Sequence, residues 1–176
     1  MDIERQKTAI SRTTASVPTK WVFDQGIITS KSKVYDWGCG KGKDSEWLKE
    51  QGCDVISHDP FHAPENDPDS VDFSNIDVII CNYVVNVIEC PQARIDLVKK
   101  MRDIAESNEI KLVISARPES QIKSEAKKNG WKKYSDGFVT SRKTFQKGFN
   151  LEQLNKLVRR EATKSHKTSG GIVCVY

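Results

Sequence analysis

The residues best able to do chemistry sit in one short string, Asp36-Trp37-Gly38-Cys39-Gly40-Lys41-Gly42. Three alternate glycines permit a tight turn that brings backbone close to a ligand, because a residue without Cβ takes left-handed dihedrals at no steric cost. The apolar KVYD segment (Lys33–Asp36) before the turn reads as a buried strand and the segment after it as a helix, whose first amides lack internal partners and can face a ligand. Spacing rules out two phosphate-binding patterns. A P-loop needs G-x-x-x-x-G-K-[ST], but Trp37 stands five positions before Gly42 and Asp44 follows Lys43. A dinucleotide turn needs G-x-G-x-x-G, but counted from Gly38 the third glycine comes one residue early, at 42, and Lys43 takes its place. A second element supports nucleoside binding. Asp59 ends the next apolar run, Cys53–His58, and a carboxylate there can accept both hydroxyls of a ribose. Pro60 follows it, and Phe61 is an aromatic ring available to pack on a base.

The third element begins where the apolar run IDVII ends, at Cys81-Asn82-Tyr83. Asn82 and Tyr83 are the candidate catalytic residues, expected to hold a second reactant beside the turn, and Asn82 doubles as a candidate cofactor contact. Cys81 reads as a small apolar strand residue. His58 and His62 straddle a proline at a strand end, so the helical i, i+4 ligand geometry does not apply, and no metal site is expected.

These residues must be positioned by strands that alternate with helices. Residues 19–28 suit a short amphipathic helix, and a helix carrying Trp47 and Leu48 inward should end near Gly52. The stretch DPFHAPENDPDS is a loop by its prolines and turn formers. Ile76–Cys81 and Ile110–Ser115 are apolar strands of the buried, parallel kind. Pro91 opens a helix with Ile95, Val98, Met101 and Ala105 at helical spacing, and Pro118 opens another that Gly130 closes. FVT and TFQKGF form a hairpin. Asn150 and Gln153 form a capping box before a helix with Leu151, Leu154, Leu157 and Val158 on one face. Thr163–Gly171 is read as a polar linker, and IVCVY as a last strand. The whole of 1–176 is expected to be one domain, with 1–18 as a polar arm or lid. Parallel sheets of this kind bind ligands at the carboxyl ends of their strands, where the three elements fall.

The chain has 176 residues, 37% hydrophobic and 30% charged, with a formal net charge of +4. That is enough to bury a core, and the mildly basic balance permits an anionic partner without requiring one. No apolar run is long enough to span a membrane, and MDIERQKTAISR lacks the apolar stretch of a signal peptide. The five cysteines are odd in number and none has C-x-x-C spacing. A disulfide framework is therefore not expected, and a cytoplasmic location is.

D-x-G-x-G-x-G after a first strand resembles the S-adenosylmethionine-dependent methyltransferases. The resemblance implies an α/β, Rossmann-like class I methyltransferase fold and S-adenosyl-L-methionine as cofactor, leaving as S-adenosyl-L-homocysteine. Gly38, Gly40 and Gly42 would lie along its methionine and ribose, and Asp36 would orient the loop or the methionine ammonium. The space between Asp59 and Ile76 is too short for the usual third strand and its helix, so a trimmed parallel sheet is expected, with a C-terminal hairpin and helix. The segments TAISRTTASVPTKWVFDQGII, VYDWGCGKGKD, VISHDPF, NYVVNVIECPQAR, LVISAR and DGFVTSRKTFQKGF further resemble a family of methyltransferases associated with DNA phosphorothioation loci. The likeness runs from about Thr8 to about Val158 and implies a link to DNA modification or defence, with the methyl acceptor unassigned. Arg12, Arg117, Arg142, Lys143, Gln146 and Lys147 fall in these segments, and Arg12 is a candidate to reach over the cofactor from the arm.

Methyl transfer displaces a good leaving group in line, so a protein contributes chiefly proximity and alignment. The D/N-P-P-Y/F signature of DNA amino-methyltransferases is absent, as is a Pro-Cys pair placed to attack cytosine. The leading expectation is a methyltransferase acting on a nucleic acid or nucleotide. A small-molecule methyltransferase is the second reading, and a non-catalytic S-adenosylmethionine-binding accessory protein the third.

Overall fold

A computed structural model describes residues 2–168 and 170–176. Met1, in the expected arm, and Ser169, in the expected linker, lie outside the described residues. The chain forms two compact units. The first comprises Ala9–Asn82 and Met101–Val113; the second comprises the residues up to Thr8, Tyr83–Lys100 and Ile114–Tyr176.

In the first unit, β1 (Lys33–Trp37) pairs in parallel with β2 (Asp54–His58) and with β3 (Val78–Asn82). Val34, Tyr35, Val78, Ile79 and Ile80 are buried, which is why these segments read as continuous apolar runs. Helix α1 (Val17–Asp24) starts earlier and ends sooner than the 19–28 expected. The Ser16 side chain caps its start, Pro18 lies in its first turn, and Gly26 at φ 67° follows its end. Ile28 is buried in the turn beyond. Helix α2 (Lys43–Glu50) follows the glycine turn, with Asp44 and Glu46 in its first turn where the helix dipole favours acids. No other strand or α-helix lies between β2 and β3. A short 3₁₀ turn, Phe73–Asn75, places Phe73 edge-on to Tyr35 at 4.9 Å, and the Tyr35 hydroxyl donates to the Asn66 carbonyl.

Helix α3 (Pro91–Ser107) and strand β4 (Lys111–Ala116) have residues in both units. The second unit adds α4 (Glu119–Asn129), closed by Gly130 at φ 62°, and a separate antiparallel sheet of β5 (Lys132–Tyr134), β6 (Gly137–Val139) and β7 (Phe145–Gln146). The β6–β7 pair is the hairpin read from FVT and TFQKGF. Helix α5 (Leu151–Val158) carries the full Asn150/Gln153 capping box. Its buried face is Leu154, Asn155 and Val158, whereas Leu151 is 40% exposed.

The expected linker contains β8 (Lys164–Lys167), antiparallel to β9 (Ile172–Val175). Polarity concealed it, because all four residues of β8 are exposed while β9 is buried throughout. The six-stranded sheet therefore has the order β2-β1-β3-β4-β9-β8 and is mixed, not parallel throughout.

Candidate functional site

The glycine turn is built as the spacing requires. Gly38, Gly40 and Gly42 have φ of 78°, 55° and 77°, the left-handed region that costs an L-residue about 1–2 kcal/mol. The amides of Gly38 and Cys39 both donate to the His58 carbonyl, at 2.7 and 3.0 Å, so the turn is pinned to the end of β2. Asp59 completes that attachment. Its Oδ2 accepts from the Gly40 amide at 3.1 Å, and its Oδ1 accepts from the amides of Phe61 and His62 at 2.9 and 3.0 Å. A carboxylate has about four acceptor positions, so three backbone amides fix its orientation and leave one acceptor position on Oδ2. Pro60 is exposed on the same turn, which a bridge between Asp59 and Ala63 closes.

Asp36 lies behind the turn at 2% exposure. Its Oδ2 accepts from the Ser45 hydroxyl at 2.5 Å, and Ser45 accepts from Ser57 at 2.8 Å. Burial first, then the charge of Asp44, push the Asp36 carboxyl up to about 7; the Ser45 hydrogen bond and the Arg12 charge oppose this. Such a buried group ties the turn to α2. Burial likewise lifts the Cys39 thiol to about 12, which disfavours its thiolate.

Asn82 projects from the end of β3. Its Nδ2 donates to Thr19 Oγ1 at 2.8 Å and to Asp44 Oδ2 at 3.0 Å. Asp44, itself buried, also accepts from the Ser16 amide at 2.6 Å and the Ser16 hydroxyl at 2.7 Å. Asp44 thus links α1, α2 and β3 in one polar cluster. Sequence reasoning singled out none of Asp44, Ser16, Thr19 or Ser45. The available signal was local: Ser16 ahead of Val17-Pro18 is a helix start, and its partner is an acid in another helix's first turn.

Residues 9–16 of the expected arm lie against the turn. Lys41 donates to Ser11 at 2.8 Å, and a Cβ placed on Gly40 would lie 3.4 Å from that of Ala9. A cleft of about 480 Å³ adjoins the turn, lined in part by Gly40, Gly42, Ser45, Ser57, Lys49 and His62. His58 Nδ1 lies 3.0 Å from the Glu65 carbonyl, and no group of three metal-ligating side chains occurs among the described residues.

Asp36, Gly38, Gly40, Gly42, Asp59, Pro60, Asn82 and Arg12 all belong to the first unit, whereas Tyr83 belongs to the second. Tyr83 has φ 59°, its amide donates to the Ser115 carbonyl at 3.0 Å, and its hydroxyl would meet a Cβ added at Gly171 at 2.7 Å. Several basic residues singled out in this unit have intramolecular roles. Arg117 is paired with Glu125. Arg142 donates to the Lys7 carbonyl at 3.2 Å. Lys147 lies 3.4 Å from Asp136 and 5.1 Å over the Phe149 ring. Gln146 is 3.4 Å from the Asn86 amide nitrogen, and Arg5 pairs through two nitrogens with Glu89.

The residues fit a cationic nucleoside ligand. Three acids, Asp36, Asp44 and Asp59, gather at the carboxyl ends of the strands, and a Cβ at Gly42 would meet nothing within 4 Å.

No family model matches the chain, and no curated protein matches it. Solved structures do. A 1,6-didemethyltoxoflavin-N1-methyltransferase from Burkholderia thailandensis, with bound 1,6-didemethyltoxoflavin and S-adenosylhomocysteine, superposes with a TM-score of 0.60 at 16% identity, covering 90% of this chain and 76% of that one. A SAM-dependent methyltransferase from Aquifex aeolicus gives 0.58 at 10% identity, covering 97% and 95%. A Rhodobacter sphaeroides protein carried under a provisional zinc-dependent alcohol dehydrogenase name gives 0.61 at 14% identity, covering 97% and 93%. The α/β fold with its mixed six-stranded sheet is therefore the one seen in class I methyltransferase structures. At these identities the likeness concerns architecture, and function must be argued from the site.

Proposed function

We propose that this protein is an S-adenosylmethionine-dependent methyltransferase whose acceptor is a nucleic acid or nucleotide. The observation that carries the first half is the Gly40 amide held by Asp59 Oδ2, which joins a left-handed glycine turn to a carboxylate at the tip of the neighbouring strand. Gly38, Gly40 and Gly42 give the cofactor's methionine and ribose a close approach, Asp59 accepts a ribose hydroxyl, and Pro60 shapes the turn beside it. When bound, the cofactor supplies an electrophilic methyl group on a sulfonium. Asp44 gives that cation a negative surrounding, and Asp36, whose carboxyl is pushed up to about 7, adds to it as it ionises, with the Arg12 charge opposing that upward push. Asn82, fixed by Asp44 and Thr19, aligns the reactants. No strong general base is required, because alignment supplies most of what an in-line displacement needs.

The short passage from β2 to β3 supports a version of the fold trimmed of one strand and one helix. The sequence likeness to the phosphorothioation-associated family supports a setting in DNA modification. Transfer of labelled methyl groups to DNA, RNA, nucleotides and a small-molecule extract tests the reading. Label in a nucleic acid or nucleotide upholds it, label only in small molecules selects the second reading, and cofactor binding without transfer to any acceptor selects the accessory role.

A further inference from the structure

The second unit carries 19 Lys and Arg against 9 Asp and Glu, a formal net of +10. Several of its acids are already used: Glu119 by Lys123, Glu125 by Arg117, Asp136 by Arg94 and Lys147, Glu89 by Arg5. Much of the excess falls within twelve consecutive residues, Lys156 to Lys167, at the end of α5 and along β8. Lys156, Arg159, Arg160 and Lys167 are exposed there. Arg159 stands in the left-handed region at φ 59°, just past the last turn of α5.

Two structural reasons for basic residues exist here, and both fall short of the number present. A helix C-terminus favours a cation, by about 0.3–1 kcal/mol, but here Lys156 in the last turn is followed by Arg159 and Arg160 just beyond it. A sheet edge is guarded by a lysine, but β8 has lysine at both ends and no buried residue at all. As the last strand of the sheet, β8 also has one edge unpaired by any other strand. Exposed cations beside an unpaired strand edge suit contact with phosphates, which are met by Lys and Arg side chains and by backbone amides. An anionic membrane is disfavoured, because neither β8 nor the turn before it offers a large apolar residue to insert.

We infer that the ridge formed by the C-terminal end of α5 and by β8 binds the phosphodiester backbone of a nucleic acid. The inference rests on the nucleic-acid half of the proposed function and is independent of cofactor binding. Fluorescence anisotropy over a salt series, with labelled oligonucleotides as single strands and duplexes of DNA and of RNA, tests it. The combined variant Lys156→Gln, Arg159→Asn, Arg160→Gln, Lys167→Gln should lose about tenfold or more in affinity. Its salt dependence should fall by about three, at roughly 0.7–0.9 per lost phosphate contact. Melting temperature and S-adenosylhomocysteine affinity should stay at wild-type values, so a failure of this surface is distinct from a failure of the cofactor site. A second variant, Lys127→Gln with Lys128→Gln at the end of α4, should lose much less. Wild-type binding to none of the four oligonucleotides, unchanged binding by the ridge variant, an equal loss in the α4 variant, or equally tight binding to phosphatidylserine vesicles would each overturn the inference.

Discussion

The two units treat buried charge in opposite ways. In the first, with 9 basic residues against 15 acids, the buried carboxylates Asp36 and Asp44 take hydrogen bonds from hydroxyls and amides of Ser45, Ser16 and Asn82. Neutral donors satisfy an anion without cancelling its charge, so burial together with the Asp44 charge pushes the Asp36 carboxyl up to about 7. In the second, the buried guanidinium of Arg94 is paired with Asp136 and donates to the Ile88 carbonyl, so the charge is cancelled where it is buried and the surplus stands outside. On the proposed function, acids met only by neutral donors suit a sulfonium, and on the inferred phosphodiester contact, a surplus of cations belongs at the surface.

Perturbing the paired charge should have the largest effect on stability. Asp136→Ala leaves a guanidinium 3% exposed without its carboxylate and should cost about 2–3 kcal/mol in chemical denaturation. An unchanged midpoint would mean that the Ile88 carbonyl and the Phe145 ring, 5.9 Å from the guanidinium, suffice.

The unpaired acid should instead show in pH dependence. Burial pushes the folded Asp36 carboxyl up to about 7 from an ordinary 3.8, so the folded state holds the proton more tightly. Its contribution to stability is full below about pH 4 and is lost as pH rises through about 7. Thermal melts across that window should show stability falling with pH, and Asp36→Asn should flatten the trend. A wild-type profile already flat would show Asp36 ionised throughout.

Smaller effects separate geometry from charge. Gly42→Ala introduces a Cβ that meets nothing within 4 Å, yet at φ 77°; the cost should be about 1 kcal/mol of backbone strain, read from the melting temperature. Arg5→Ala removes the pair with Glu89, whose carboxyl the Arg5 hydrogen bond holds below its usual range. For side chains this exposed (42% and 20%), the loss should stay under about 1 kcal/mol.

How much of this could be read from the sequence follows from the range of each interaction. The glycine turn, the Asn150 capping box and the Gly130 helix end are legible because each depends on residues a few positions apart. Strand β8 was hidden because its partner, β9, supplies all the apolar contact and Lys-Ser-His-Lys has none of its own. The Asp44 cluster was hidden for another reason: Asp44 meets Ser16, Thr19 and Asn82 only after three elements pack. Lys147 and Arg142 looked available for phosphates, and only the fold reveals Asp136 and the Lys7 carbonyl beside them.

The central claim concerns the turn and Asp59. Calorimetric titration of S-adenosylhomocysteine into the wild type and into Asp59→Ala tests it most directly. Saturable micromolar-range binding is expected, weakened in the variant by about 1–3 kcal/mol, the worth of hydrogen bonds to a charged group. No heat of binding in the wild type, or equal affinity in the two proteins, would contradict the account.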